Sequence, residues 1–277
     1  MLLIDTDNAA GSPRGDVDDA FAIAALLRSG LPVAGLASVG GNTSEARAAR
    51  NNCVLADLCG YGGAHLRGVQ AGDVPDRIDR AGLWKQGPLR FLALGPLTNL
   101  AAVLDRRIEE AVLVGSDLTS RGRFPPWWPH EFNLTKDPAA TRAVFASDLP
   151  LTLIPLDVAR RLRIGPRELR NLEGPLGDFL RRCSVRWSRR SLLRRGSRRF
   201  PVFDLAAAAY AIDPALMDLE ETRVRLHGNL WVEYGAGDRR VRVVRSLDPG
   251  PIWRRFAALV NGRPAGEILP AAGPPPR

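Results

Sequence analysis

The 277-residue sequence predicts a single α/β domain: a mostly parallel, Rossmann-like sheet with helices on both faces. Three observations predict it. Short apolar runs alternate with helical patterns over the first ~160 residues, the signature of βαβ units. Acidic, amide or glycine residues follow several of the runs, at the strand ends where such sheets bind ligands. No internal repeat and no clean linker divides the chain, so residues 1–262 read as one domain and 263–277 as a Pro/Gly-rich tail.

Each element has its local reason. Leu2-Leu3-Ile4 is short, apolar and followed by acids, which suits a buried strand. Residues 20–27 follow as a helix, opened by Asp18 and Asp19, whose charges favour a helix N-terminus. Residues 33–39 read as a strand closed by Gly40-Gly41, and 44–58 as a helix stopped at Gly60. Strands at 91–94, 111–114 and 151–155 then alternate with helices at 98–104 and 138–145. Beyond Asp157 an arginine-rich helical region leads to a helix over 204–212. Residues 222–244 alternate like a β-ribbon around Gly235-Ala236-Gly237, and 251–260 form a last helix. The end of the tail, 270–277, holds too much Pro and Gly to pack.

Composition narrows the function. No apolar run approaches the ~18–20 residues of a membrane-spanning helix. The N-terminus lacks a signal-peptide pattern, so a cytoplasmic protein without a membrane partner is expected. Cys53, Cys59 and Cys183 contain no CxxC pair, which speaks against a disulfide framework or a structural zinc site. Cys53 and Cys59 share one predicted helix and read as small apolar residues. The net charge is +9, yet Lys85 and Lys136 are the sole lysines and arginine is scattered throughout. That is compositional bias rather than a nucleic-acid-binding face. The exception is 181–199, crowded with arginine pairs, which reads as a solvated helix and loop with anion binding as the alternative.

Chemistry concentrates near the N-terminus. Asp5 and Asp7, one residue apart at a strand end, send their side chains to the same side. Asp16, Asp18 and Asp19 follow a loop and open the next helix, making five carboxylates within fifteen residues. Left unpaired they would repel severely, and a divalent cation removes most of that cost. An all-oxygen set selects calcium or magnesium over zinc. Spacing alone fits a solvated acidic loop equally well.

Further motifs decide between the two. Ile4-Asp5-Thr6-Asp7 with Asp18-Asp19-Ala20 resembles the aspartate signature of the inosine–uridine-preferring nucleoside hydrolases. In the same order come Gly41-Asn42, the run Ala93-Leu94-Gly95-Pro96-Leu97-Thr98-Asn99-Leu100-Ala101, and Glu131-Phe132-Asn133 before Asp137-Pro138. Phe203-Asp204 ahead of Asp213-Pro214 completes the set, so the resemblance runs from Leu2 to about residue 260. It implies the nucleoside hydrolase fold and calcium as cofactor, held by Asp7, Asp19, Asp204 and the backbone carbonyl of Leu94. It implies Asp18 as the general base toward the attacking water and Asp5 as a supporting acid. Asn42, Glu131 and Asn133 match groups that hold the ribose hydroxyls. A homo-oligomer, dimer or tetramer, is expected with it.

The sequence departs from the family in two places. Residues 8–17 replace a much shorter loop, and Arg14 or Asp16 is expected in a loop-stabilising ion pair, with contact to the substrate as the alternative. Phe203 stands where many members carry a histidine that protonates the leaving base, and a second family histidine, near 78–83, is missing. His65 and His227 are read as without a catalytic part, and Asn51 and Asn52 as structural. Trp127, Trp128 and His130, in a Pro-rich loop beside Glu131, are candidate substrate contacts, with subunit packing as the competitor for the tryptophans. Phe203 either stacks on the base or packs into the core beside Val202.

The activity expected is calcium-dependent hydrolysis of the N-glycosidic bond of ribonucleosides, with purine ribosides favoured and a place in purine salvage or nucleoside catabolism. The alternatives are a hydrolase of a nucleotide or other ribosyl conjugate, using the 181–199 arginines for phosphate, and a catalytically silent binding protein on the same fold.

Overall fold

The computed structural model describes residues 1–12, 15–68, 88–118 and 132–263, with backbone alone at 194 and 195. Nine strands form one sheet in the order β10-β9-β11-β6-β5-β4-β1-β2-β3. They are β1 (Leu2–Thr6), β2 (Val33–Ser38), β3 (Ala64–Arg67), β4 (Leu89–Ala93), β5 (Ile108–Val114), β6 (Leu151–Ile154), β9 (Met217–Leu226), β10 (Val232–Tyr234) and β11 (Arg239–Leu247). The small strands β7 (Arg163–Ile164) and β8 (Phe200–Pro201) pair separately and antiparallel. From β11 to β3 every neighbouring pair is parallel, and β9 and β10 add an antiparallel edge. Chain order runs outward from the β1–β4 pair, to β3 on one side and as far as β6 on the other. The crevice beyond their carboxyl ends is therefore the topological switch point, the default ligand site of such sheets.

Six helices of two turns or more cover the sheet: α1 (Asp18–Arg28), α2 (Glu45–Cys59), α3 (Pro138–Ala146), α4 (Gly174–Arg195), α5 (Asp204–Ile212) and α6 (Pro249–Val260). The period of two along a strand divides the core into two layers. On β1, Ile4 faces a layer shared with α1, α4, α5 and α6, while Leu3 faces the layer containing Val144 of α3. Helix α5 is buried from Asp204 through Ala211 and α1 from Asp19 through Leu26. Both owe this to alanine: Ala20, Ala22, Ala24 and Ala25 on one, and Ala206 to Ala209 and Ala211 on the other. Small side chains let two helix backbones approach closely, and α1 and α5 pack on each other beneath the strand ends. The far end of α5 is pinned by the Tyr210 hydroxyl, which donates to Glu110 Oε1 at 2.6 Å near the start of β5.

Two sequence expectations need correction. The helix expected over 98–104 stops at Ala101. Val103 and Arg106 then donate three residues back, to Leu100 and Val103, tightening the chain into turns that bring it round to β5. The ribbon over 222–244 is not one hairpin turning at the glycines. Strand β9 pairs β10 on one side and β11 on the other, the hairpin turn is at 227–231, and the glycine segment links β10 across to β11. Residues 264–277, most of the expected tail, lie outside the described residues. Among those described, no helix is long and apolar enough to cross a membrane.

Ala207 of α5 is fully buried in the core layer that contains α1, so a larger side chain there would overpack it. Ala207→Leu should cost about 1–3 kcal/mol, the usual penalty for overpacking a core, read as a lowered midpoint in urea denaturation. An unchanged midpoint would mean that the helices can separate without loss.

Candidate active site

The site begins where β1 ends. Asp5 and Asp7 are both fully buried. The Asn99 side-chain amide donates to Asp5 Oδ1 at 2.7 Å and to the Ser38 carbonyl at 3.0 Å, tying β1 to the end of β2. The Asn42 backbone N–H donates to Asp7 Oδ2 at 2.5 Å. That approach requires glycine just before it, because a Cβ on Gly41 would fall 1.9 Å from Asp7 Oδ2.

Two helix N-termini close on the strand end. Asp18 and Asp19 form the first turn of α1, and Asp204 opens α5. Exposed N–H groups and the positive end of the helix dipole favour carboxylates there. Thr6 Oγ1 donates to Asp19 Oδ1 across thirteen residues. Asp16, Asp18 and Asp19 each bring one carboxylate oxygen within 4.8 Å of the other two. Oxygens sharing one calcium at roughly 2.3–2.6 Å stand no further apart than ~5 Å, so this spacing would allow the three to share a cation.

Burial without compensation marks the cluster. Asp5 Oδ2, Asp7 Oδ1, Asp16 Oδ1 and Asp19 Oδ2 are buried and have no hydrogen-bond partner among the described residues. Desolvation raises Asp5, aided by the charge of Asp7, to about 7. Burial, then repulsion from Asp18, raises Asp7 to about 7. Asp16, Asp19 and Asp204 are pushed well above the carboxylate range, by burial first and then by the charges of neighbouring carboxylates, Asp7 and Asp18 among them in each case. Asp18 rises less, to about 6, because burial is opposed by backbone N–H groups including those of Phe203 and Asp19. A set of carboxylates that burial drives toward the neutral form, with oxygens lacking donors, fits a hard divalent cation.

Beside the cluster lies a cavity of about 190 Å³. Asp16, Asp18, Asn42, Leu94, Asn133 and Asp204 line it on the polar side, and Phe132, Trp187, Phe200 and Phe203 on the apolar side. The Asn133 amide donates to the carbonyls of Leu94, at 3.0 Å, and Val114, at 3.1 Å, joining the ends of β4 and β5. The Leu94 carbonyl thus faces the site, and its second lone pair can take a further partner. Phe203 lines the cavity and also packs against the core.

The structure therefore gathers Asp5, Asp7, Asp18, Asp19, Asn42, Leu94, Asn133, Phe203 and Asp204 from the sequence expectation into one place. Trp127, Trp128, His130 and Glu131 lie outside the described residues, as does Arg14 of the expected loop ion pair. Asp16 is found among the carboxylates, without an ion pair among the described residues. Asn51 and Asn52 of α2 hold the loop after β1: Asn51 donates to the Asn8 carbonyl at 2.8 Å, and Asn52 Oδ1 accepts from the Asn8 amide at 3.1 Å. Cys59 is buried, whereas Cys53 is exposed, 3.9 Å from His65 Nδ1, and so is not an apolar packing residue. Sequence reasoning missed the bond from Asn99 to Asp5 and the presence of Trp187 in the cavity. Asn99 stood in a quoted motif. Trp187 gave no signal beyond being a tryptophan on an arginine-rich helix.

The sequence model of the inosine-uridine preferring nucleoside hydrolases matches residues 2–254. A pyrimidine-specific ribonucleoside hydrolase of Escherichia coli O1:K1 is 28% identical over 158 residues, covering 54% of this chain and 50% of that protein. The chain spans about half to two thirds of the length of the curated relatives it matches. Among solved structures, a plant nucleoside hydrolase superposes with a TM-score of 0.79 at 19% identity, covering 94% of this chain and 98% of that one. A purine-preferring ribonucleoside hydrolase from Gardnerella vaginalis gives 0.78 at 22% identity, covering 97% and 99%. At these identities the likeness is one of fold.

The cluster sets the pH dependence of the metal-free chain. Asp5, Asp7 and Asp18 titrate at about 7, 7 and 6 when folded, against about 3.9 when unfolded. The folded state holds these protons more tightly, so stability is greatest below pH ~4 with respect to these groups and falls as pH rises through ~7. In chelator, the urea midpoint should be lower at pH 8 than at pH 5, and added calcium should recover more at pH 8. A midpoint that rises from pH 5 to 8 in chelator would contradict the charge burial described.

Proposed function

The chain belongs to the inosine-uridine preferring nucleoside hydrolase family, and on that premise we propose that it hydrolyses the N-glycosidic bond of ribonucleosides, with calcium as its metal and purine ribosides favoured. The observation that carries the proposal is the set of buried, partnerless carboxylate oxygens beside a cavity with aromatic walls. Asp7, Asp19, Asp204 and the Leu94 carbonyl would hold the ion, with Asp5 behind them, oriented by Asn99. Calcium, when bound, supplies positive charge that neutralises the cluster and makes a neighbouring water more acidic.

The chain's own residues supply the rest. Asp18 faces the cavity and titrates near 6 in the metal-free chain, so near neutral pH its carboxylate is free to accept a proton from the attacking water. The N–H groups of Phe203 and Asp19 hold that carboxylate in place. Breaking the N-glycosidic bond builds positive charge on the sugar, as in glycoside hydrolysis generally, and the surrounding carboxylates favour it. Asn42 and Asn133, with Glu131, Trp127, Trp128 and His130 from the segment between β5 and α3, are assigned to the substrate.

The relatives differ over the base, the Escherichia coli protein being named pyrimidine-specific and the Gardnerella vaginalis one purine-preferring. The aromatic wall of Phe203 and Trp187 favours the larger ring of a purine. Base–aromatic stacking contributes roughly 1–3 kcal/mol.

Two measurements test this reading. Asp18→Asn should preserve calcium binding and lower turnover by about 10²–10⁴-fold, the usual range for general-base catalysis; wild-type turnover would remove Asp18 from that role. Initial rates on inosine, adenosine, guanosine, uridine and cytidine should favour purines, and Phe203→Ala should slow purines more than pyrimidines. Equal losses, or a wild type that prefers uridine, would overturn the stacking account. Preference for a 5′-monophosphate over its nucleoside would move the substrate class to nucleotides.

A further inference from the structure

We propose that Asp16 is a further carboxylate ligand of the metal centre, delivered by the long loop after β1. The inference rests on the reading of the cluster as a calcium site. None of the ligand positions carried over from the family falls on Asp16; it belongs to the residues 8–17 that make this loop longer than usual. The loop nevertheless sets it against the site. One Asp16 oxygen lies within 4.8 Å of oxygens of both Asp18 and Asp19, and Asp16 lines the same cavity. Its Oδ1 is buried and has no partner among the described residues. Its carboxylate beside those of Asp18 and Asp7 is disfavoured; the charge of Arg190 offsets part of that cost, and a shared cation would offset the remainder.

The position is built rather than incidental. Asn8, directly after Asp7, anchors the start of the loop through Asn51 and Asn52, and its side chain accepts from the Ala10 N–H at 3.0 Å. The chain then doubles back, with Ser12 N–H donating to Ala9 at 3.0 Å. A Cβ on Gly15 would fall 2.0 Å from the Ala9 carbonyl, so only glycine permits the return. The Gly15 carbonyl, one residue before Asp16, accepts from Trp187 Nε1 at 2.7 Å. Arg190 lies over the Trp187 ring at 5.1 Å and steadies that donor from the same helix. The arginine-rich helix α4 thus clamps the loop in the conformation that presents Asp16.

Charge adds a signature that a purely structural role would lack. A ligand that contributes a full negative charge strengthens a trivalent ion more than a divalent one. The experiment is calorimetric titration of the full chain with calcium and with terbium, for wild type, Asp16→Ala and Asp16→Asn, alongside thermal midpoints in chelator. Expected for Asp16→Ala is calcium binding weakened about 10–100-fold, the scale on which ligand charge and count tune such sites, with a larger loss for terbium. Asp16→Asn, which keeps an oxygen but not the charge, should fall between. Chelated midpoints at or above wild type would show both variants folded, since each removes a like charge. Wild-type affinities in folded Asp16→Ala would overturn the assignment of Asp16 and leave the metal site standing. A wild type that binds neither ion would sink both.

Discussion

Like charge held out of water is the constraint around which this molecule is arranged. Asp5, Asp7, Asp16, Asp18, Asp19 and Asp204 converge on one strand end and two helix starts, and several of their oxygens have no donor. Such a grouping cannot form from one segment of chain. It requires β1 at the switch point of the sheet, flanked by β4 and β2, so that its carboxyl end opens into a crevice. It also requires α1 and α5 to lie close enough for their N-termini to share one ion-sized space. Alanine at the contact makes that approach possible, and the dipoles of both helices offset a fraction of the repulsion. The remainder is left for a cation.

Much of this was legible in the sequence, for identifiable reasons. Strand and helix alternation depends on local periodicity, so β1, α2, α5 and the parallel sheet could be read directly. The acids at 5, 7, 18 and 19 were visible because they are near one another in the chain. Asp204 could not be joined to them by spacing, and only its place in a family-like motif brought it in. The bond from Asn99 to Asp5 spans ninety-four residues, and no composition signal announces it. Trp187 sat in a helix whose arginines dominate any reading of its chemistry, so its turn toward the cavity was invisible. Asp16 could be counted with the other acids from its spacing, but only folding shows its oxygen beside those of Asp18 and Asp19.

The two layers of the fold divide the work. The layer containing α3 packs largely away from the cluster, around Phe91, Leu113 and Val243. The layer containing α1, α4, α5 and α6 includes Leu94, Phe203 and Trp187, so its packing and the cavity wall are one structure. Aromatic residues on that wall belong to the core and to the cavity lining at once, Phe203 among them.

Helix α5 also limits how this protein can diverge. It is fixed at one end by Tyr210 on Glu110 and carries Asp204 at the other, with buried alanine between. A helix advances about 1.5 Å and turns about 100° with each residue. A one-residue insertion or deletion between Asp204 and Tyr210 would therefore swing the carboxylate out of the cluster by more than a quarter of a turn, whatever residue was chosen. Descendants of this chain can drift by substitution along α5 but not in its length. The loop after β1 is tied at its two ends by Asn8 and Gly15, so a change in length there need not move the strand or the helix that it joins.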